Sequence, residues 1–182
     1  MIDKVGSSTV TWFAGNSGTN VTMERKDPAG DGASSSNWAS NDETLVNGQD
    51  ALGANLKGTP KSLNSVNTTI PRVVTDLQIQ YIYTTPNSFR LYWTTPKTAN
   101  LSTTTPASYD LRYSTSLITD SNFSSASPIT TLLTPSVTTG TVATSTVSGL
   151  ATSTAYYFAV KTNNGSNDSG ISNVYTATTE DG

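Results

Sequence analysis

Three short runs in this chain alternate with period two. Phe89, Leu91 and Trp93 alternate with Arg90 and Tyr92. Tyr109, Leu111 and Tyr113 alternate with Asp110 and Arg112, and Tyr156, Phe158 and Val160 alternate with Tyr157, Ala159 and Lys161. Successive side chains of a strand point to opposite faces, so each run presents an apolar face and a more polar one. Strands that bury one face belong to antiparallel sheets packed on a shared core. The same pattern sets Trp93, Leu111, Tyr156, Phe158 and Val160 inward and leaves Tyr92 and Tyr157 outward.

Composition agrees with an all-β chain. Only 34% of the residues are hydrophobic, and Ser and Thr make up roughly a third. Sheets manage with few apolar residues because one face can stay wet, and the branched β-carbon of Thr suits a pleated surface. The 182 residues allow one or two small domains. The net charge is −3. Residues 1–70 carry five basic and seven acidic side chains and residues 71–182 carry five and six, so neither half has the basic face that neutralises phosphates, and no nucleic-acid partner is expected. There is no Cys and no His, which excludes disulfides, thiolate sites and the usual general base. No apolar run approaches the ~20 residues needed to cross a bilayer, so no transmembrane segment is expected.

From residue 72 onward the strands come at short, regular intervals. Val74 and Leu77 open the first. The three alternating runs supply the second, third and sixth, Ile129–Leu133 the fourth, Val142 with Thr144 and Thr146 the fifth, and Ile171–Thr178 the seventh. Turn residues punctuate them, and seven short strands of this kind indicate an antiparallel sandwich. The segment resembles a fibronectin type III domain in its bacterial form. Trp93 matches the family's core tryptophan, Tyr109-Asp110-Leu111-Arg112-Tyr113-Ser114 its third strand, Leu150 with Thr154, Tyr156, Phe158 and Val160 its tyrosine corner and sixth strand, and Ser169, Ser172 and Asn173 the entry to its last strand. Thr152-Ser153 stands where the family often has Pro-Gly, which leaves that turn less pre-set. The resemblance implies a seven-stranded immunoglobulin-like sandwich over 72–182, with Trp93, Leu111, Leu150, Tyr156, Phe158 and Val160 as its structural core. It also implies a tyrosine-corner hydrogen bond from the Tyr156 hydroxyl to the backbone.

Residues 1–58 are irregular. Val10, Trp12 and Ala14 suggest one strand, Gly15-Asn16-Ser17-Gly18 a turn, and Asn20–Arg25 a second strand, together a hairpin. Trp38 is the one large apolar anchor in a Gly/Ser/Ala/Asp-rich run. The segment resembles the closing part of a bacterial lamin-tail domain. The match runs through Asp3 and Val5, Trp12, Ala14-Gly15, Met23-Glu24-Arg25, Asn37-Trp38, Gly48, Asp50-Ala51, Gly53, Gly58-Thr59-Pro60 and Asn64. The family's opening strands are absent, so the resemblance implies an incomplete, β-rich N-terminal segment and a chain that is a fragment. Thr59 to Pro71 begins and ends with proline-containing steps and reads as a semi-extended linker.

Candidate chemistry is sparse. Three Glu and ten Asp occur, mostly in turns, and a glycosidase needs two facing carboxyls. Asp110 has outward parity. Asp27-Pro28-Ala29-Gly30-Asp31-Gly32, with Asp42-Glu43 nearby, reads as turn chemistry or a weak calcium site, but it lacks the alternating oxygens and distal Glu of an EF-hand. Asn163–Asp168 is an Asx-rich loop of the kind that carries recognition in sandwiches, without an aromatic anchor or an Arg-Gly-Asp tripeptide. Asn20, Asn67, Asn100, Asn122, Asn164 and Asn167 stand in Asn-X-Ser/Thr sequons. Tyr92, Tyr157 and Tyr175 are the candidate binding surface, as a face on which sugar rings could stack.

The expected function is a non-catalytic spacer or adhesion module of a larger secreted or cell-surface bacterial protein, with no cofactor. Its expected partners are the other domains of that protein and protein or polysaccharide ligands. The alternative is an ancillary polysaccharide-binding domain of a secreted hydrolase. The start, Met-Ile-Asp-Lys-Val-Gly-Ser-Ser, has no apolar h-region, which fits an extracellular fragment whose signal peptide is encoded elsewhere.

Overall fold

The computed structural model describes residues 12–43, 46–61, 63–81, 85–96, 106–130 and 138–182. The matches at Asp3 and Val5, Val10 of the expected first strand, the sequon at Asn100, and Thr131–Leu133 of the expected fourth strand lie outside them. The chain forms two compact units that divide between Thr69 and Ile70.

The C-terminal unit is all antiparallel β. Strands β3 (Gln78–Ile79), β4 (Ser88–Thr94) and β7 (Val142–Ser148) form one sheet in the order β3-β4-β7. Strands β5 (Ser108–Ser114), β6 (Ser127–Pro128), β8 (Ala155–Asn163) and β9 (Tyr175–Thr178) form the other in the order β6-β5-β8-β9. Phe89, Leu91 and Trp93 of β4 pair with Val147, Ser145 and Ala143 of β7, while Tyr109, Leu111 and Tyr113 of β5 pair with Thr162, Val160 and Phe158 of β8. The inward sets of both sheets meet in one buried cluster that also holds Val74, Leu77, Ile79, Leu150 and Tyr156. Trp93 and Tyr109 cross edge to face at 5.1 Å, and Phe89 and Phe158 at 5.6 Å, a favoured geometry for aromatic pairs.

Polar side chains cap this core where strands end. The Ala151 N–H donates to the Tyr156 hydroxyl at 3.1 Å. The last strand is shorter than its alternation suggests, because Ser169 and Ser172 take over part of the ladder. Their Oγ atoms accept the Thr162 and Val160 N–H groups, each at 3.0 Å. Asn173 then clips Leu77, accepting its N–H and donating to its carbonyl, each at 2.9 Å. Hydroxyl and amide groups thus satisfy backbone that a continuous strand would have paired. Val74 and Leu77 are fully buried but precede β3 rather than form it. The described part of the fourth strand begins at Ser127, with buried Ile129 just beyond it.

The N-terminal unit has a different basis. Strand β1 (Met23–Arg25) pairs antiparallel with β2 (Trp38–Ser40), placing Arg25 opposite Trp38. Among the described residues, the expected hairpin with the Trp12 segment does not extend into a strand pair. Contact there reduces to a bridge between Asn16 and Val21, and Trp12 is 77% exposed. At Gly15, φ +86°, a Cβ would lie 3.1 Å from the Val21 carbonyl oxygen and the Met23 nitrogen and press on both.

The stretch after Gly58 also differs from the expected tether. Thr59, Ser65, Val66 and Asn67 are buried, and the Thr68 N–H donates to the Lys26 carbonyl at 3.0 Å. Proline-containing steps favour extended backbone, but the polar residues between them have a buried acceptor to satisfy, and that draws the segment in.

Candidate functional site

That acceptor is Glu24. Its position between the outward neighbours Met23 and Arg25 turns its side chain into the unit, where it is buried. Oε1 accepts from Asn41 Nδ2 at 2.9 Å and Thr59 Oγ1 at 2.7 Å. Oε2 accepts from the Ser65 N–H at 2.7 Å and Ser65 Oγ at 2.6 Å. Burial pushes the carboxyl up, but the donors from Ser65, Thr59 and Asn41 outweigh it and hold it below the usual carboxylate range. A carboxylate saturated by four neutral donors is a brace for three chain segments, since it has no proton to give at neutral pH and no open lone pair for a substrate.

Asp27, Asp31, Asp76 and Asp110 are also engaged with neighbouring groups. Asp27 Oδ1 accepts from the Ala29 N–H and Asp31 Oδ1 from the Ala33 N–H, each at 2.9 Å, which is Asx-turn geometry. Asp76 accepts from the Thr94 backbone and hydroxyl. Asp110 holds Arg112 Nε at 2.9 Å and pushes its guanidinium pKa up, while that guanidinium also donates to the Ser124 and Ala126 carbonyls. Arg112 and Lys161 stand over the Phe123 ring at 5.2 and 5.0 Å. In the Asn163–Asp168 loop, Asn163 Nδ2 donates to Asp168 at 2.6 Å, and Asn164 Oδ1 accepts from the Ser166 and Asn167 N–H groups. Among the described residues no group of three His, Cys, Asp or Glu could hold a metal ion, and no helix is long and apolar enough to cross a membrane. Of the sequon asparagines, Asn67 is buried and Asn20 is exposed.

The three candidate tyrosines are not one row. Tyr157 lies on the outer side of the four-stranded sheet, against a small cluster of Ile118, Phe123, Ala126 and Ala159. Tyr92 lies on the outer side of the three-stranded sheet, between Gln78 of β3 and Thr144 of β7, and its hydroxyl donates to Gln78 Oε1 at 2.7 Å. Tyr175 pairs with Phe158 and packs at the edge of the main core, its hydroxyl 3.2 Å from that of Tyr81. That contact with Tyr81, together with burial and the nearby Tyr81 and Tyr92, pushes the Tyr175 phenol up. Tyr81 itself was not legible as a surface residue. Its parity with Leu77 and Ile79 points inward, but β3 ends at Ile79 and the ring leaves the sheet, 63% exposed.

Among the described residues, Tyr81 and Tyr92 flank a recess on this outer face with mixed aromatic and polar walls. It has a volume of about 590 Å³, and Arg90, Gln80, Val142 and Thr144 complete most of its lining. A second cleft of about 480 Å³ lies at the end of the sandwich, between Arg72–Asp76 and Thr94–Pro96.

No family model and no curated protein matches the chain. Solved structures similar to it include fibronectin type III domains. They include chicken CNTN1 FN1–FN3 (14% identity, TM-score 0.44, 61% of this chain and 33% of that one). The fn3 domain of human contactin 1 shows 16% identity, a TM-score of 0.45 and coverage of 60% and 77%, and the third fibronectin III domain of human KIAA0343 protein shows 15%, 0.43, 69% and 95%. This chain thus spans about a third of the three-domain contactin structure.

Proposed function

We propose that this chain is a non-catalytic module of a larger secreted or cell-surface protein, in which the unit from Ile70 onward serves as a spacer or adhesion domain and the preceding unit as the closing part of a lamin-tail-like domain. The observation that carries this reading is the use made of the carboxylates. Glu24, Asp27, Asp31 and Asp76 accept hydrogen bonds that hold backbone segments together, and Asp110 positions Arg112. These groups serve architecture. The resemblance of both halves to modules of surface proteins supports the location. An antibody raised against the chain should label intact cells of the source organism, and labelling that requires permeabilisation would contradict the surface reading. Beads coated with the chain should then separate the two roles, since an adhesion unit retains them on the cognate surface and a spacer does not.

A second reading has its own observation. The recess between Tyr81 and Tyr92 offers aromatic faces beside hydrogen-bonding groups, a combination suited to a polysaccharide ligand.

A further inference from the structure

The chain has no cysteine, so a covalent link between its strands has to use another side chain. Two distant segments of the C-terminal unit are already clipped together at Leu77 and Asn173. Just beyond that clip, four residues after Leu77 and two after Asn173, stand Tyr81 and Tyr175, with their hydroxyls 3.2 Å apart. Both rings are placed by backbone. Tyr175 opens β9, pairs with Phe158 of β8 and packs against the main core. Tyr81 follows β3, where Ile79 pairs with Leu91 and the Gln80 N–H donates to the Arg90 carbonyl at 2.8 Å. The Tyr81 ring is exposed, within reach of an oxidant in solution.

A contact of phenol with phenol has its own chemistry. A tyrosine that loses one electron and its phenolic proton becomes a radical, shared between the oxygen and the ring carbons ortho to it. Two such radicals join through their ortho carbons, and the product carries its hydroxyls side by side across the new bond. Tyr81 and Tyr175 already meet hydroxyl to hydroxyl, and reactants held near the geometry of their product react as one molecule rather than two. Tyr113 and Tyr156 also meet, but edge to face, with ring centroids 5.8 Å apart and planes at 62°. The Tyr156 ring is buried, and its hydroxyl accepts from the Ala151 N–H.

We propose that Tyr81 and Tyr175 form a dityrosine cross-linking site, closed by a one-electron oxidant such as a haem peroxidase supplied with hydrogen peroxide. Each phenol gives up one electron and one proton. A carbon–carbon bond forms between the two ortho positions, and the hydrogens on those carbons move to the oxygens and restore both phenols. The peroxide takes up the two electrons and two protons and leaves as two waters. The link ties the segment after β3 to β9, which belong to different sheets, across 94 positions of chain. It restricts the unfolded chain as a disulfide does.

The test is oxidation of the full chain, at high dilution, by a haem peroxidase and hydrogen peroxide. Dityrosine fluorescence is read in the monomer band of a denaturing gel, and the linked peptides are mapped by mass spectrometry. The expected product is a monomer short of two hydrogens in which the peptides of Tyr81 and Tyr175 are joined. Tyr81→Phe and Tyr175→Phe keep each ring in place and should each reduce the monomer fluorescence by at least about 10-fold. Tyr157→Phe, on the outer side of the four-stranded sheet beside Ile118 and Phe123, should leave it within about twofold. Fluorescence confined to dimer bands, or none at all, would overturn the proposal. So would a monomer product that maps to another tyrosine pair or survives in both the Tyr81→Phe and Tyr175→Phe chains.

Discussion

The two units of this chain solve the same problem with different chemistry. In the C-terminal unit two antiparallel sheets close over aromatic and aliphatic side chains, and Ser169, Ser172 and Asn173 take over backbone groups beside the last strand. In the N-terminal unit the described strands pair over only three residues, and the centre is a carboxylate gripped by Asn41, Thr59 and Ser65. An apolar core accumulates stability from area and tolerates local error. A buried charge works only while every donor is in place, because each unsatisfied partner carries its full desolvation cost. The first design should resist change at single polar positions and fail when a large ring is removed, and the second should show the reverse.

The largest expected effect tests the apolar side of that contrast. Trp93→Ala removes a fully buried indole and its contact with Tyr109, and should cost about 3–5 kcal/mol in chemical denaturation. An unchanged midpoint would break the contrast. Glu24→Gln tests the polar side. Its Nε2 donates where the carboxylate accepts, so Asn41 and Thr59, or Ser65, meet another donor. The expected loss is about 3 kcal/mol, read as raised amide exchange confined to the N-terminal unit. Tyr156→Phe leaves the Ala151 N–H without its partner and should cost about 1 kcal/mol. The smallest effect is a gain. Ser153 adopts φ +50°, a conformation that suits glycine, so Ser153→Gly should raise stability by up to about 1 kcal/mol. No gain would show that the turn adapts to serine.

The contrast also explains how much the sequence discloses. Period-two alternation places Phe89, Leu91, Trp93, Tyr156, Phe158 and Val160, because a strand's geometry is local and each residue reports its own face. Thr152-Ser153, in place of the family's Pro-Gly, flags a turn in which a non-glycine residue, Ser153, takes a positive φ. The Glu24 brace joins residues 41 positions apart and the Asn173 clip residues 96 apart. No local pattern encodes either, so Thr59–Asn67 reads as linker and Ile171–Asn173 as strand. Of the recess, Tyr92 is legible from parity. Tyr81 is hidden because its strand stops two residues early, and Tyr157 is drawn away by a patch of Ile118 and Phe123 that only the fold assembles.

The most direct test is a residue-resolved acid titration by NMR. The Glu24 carboxyl is held below its ordinary value of 4.5 in the folded chain, so its contribution is fully present above the unfolded value and is lost as pH falls through the folded one. The account predicts that Glu24 titrates below 4.5 and that the Asn41 and Ser65 amides lose their native positions with it, while the Leu91 and Phe158 amides keep theirs. A Glu24 midpoint above 4.5, or loss of both units together, would contradict it.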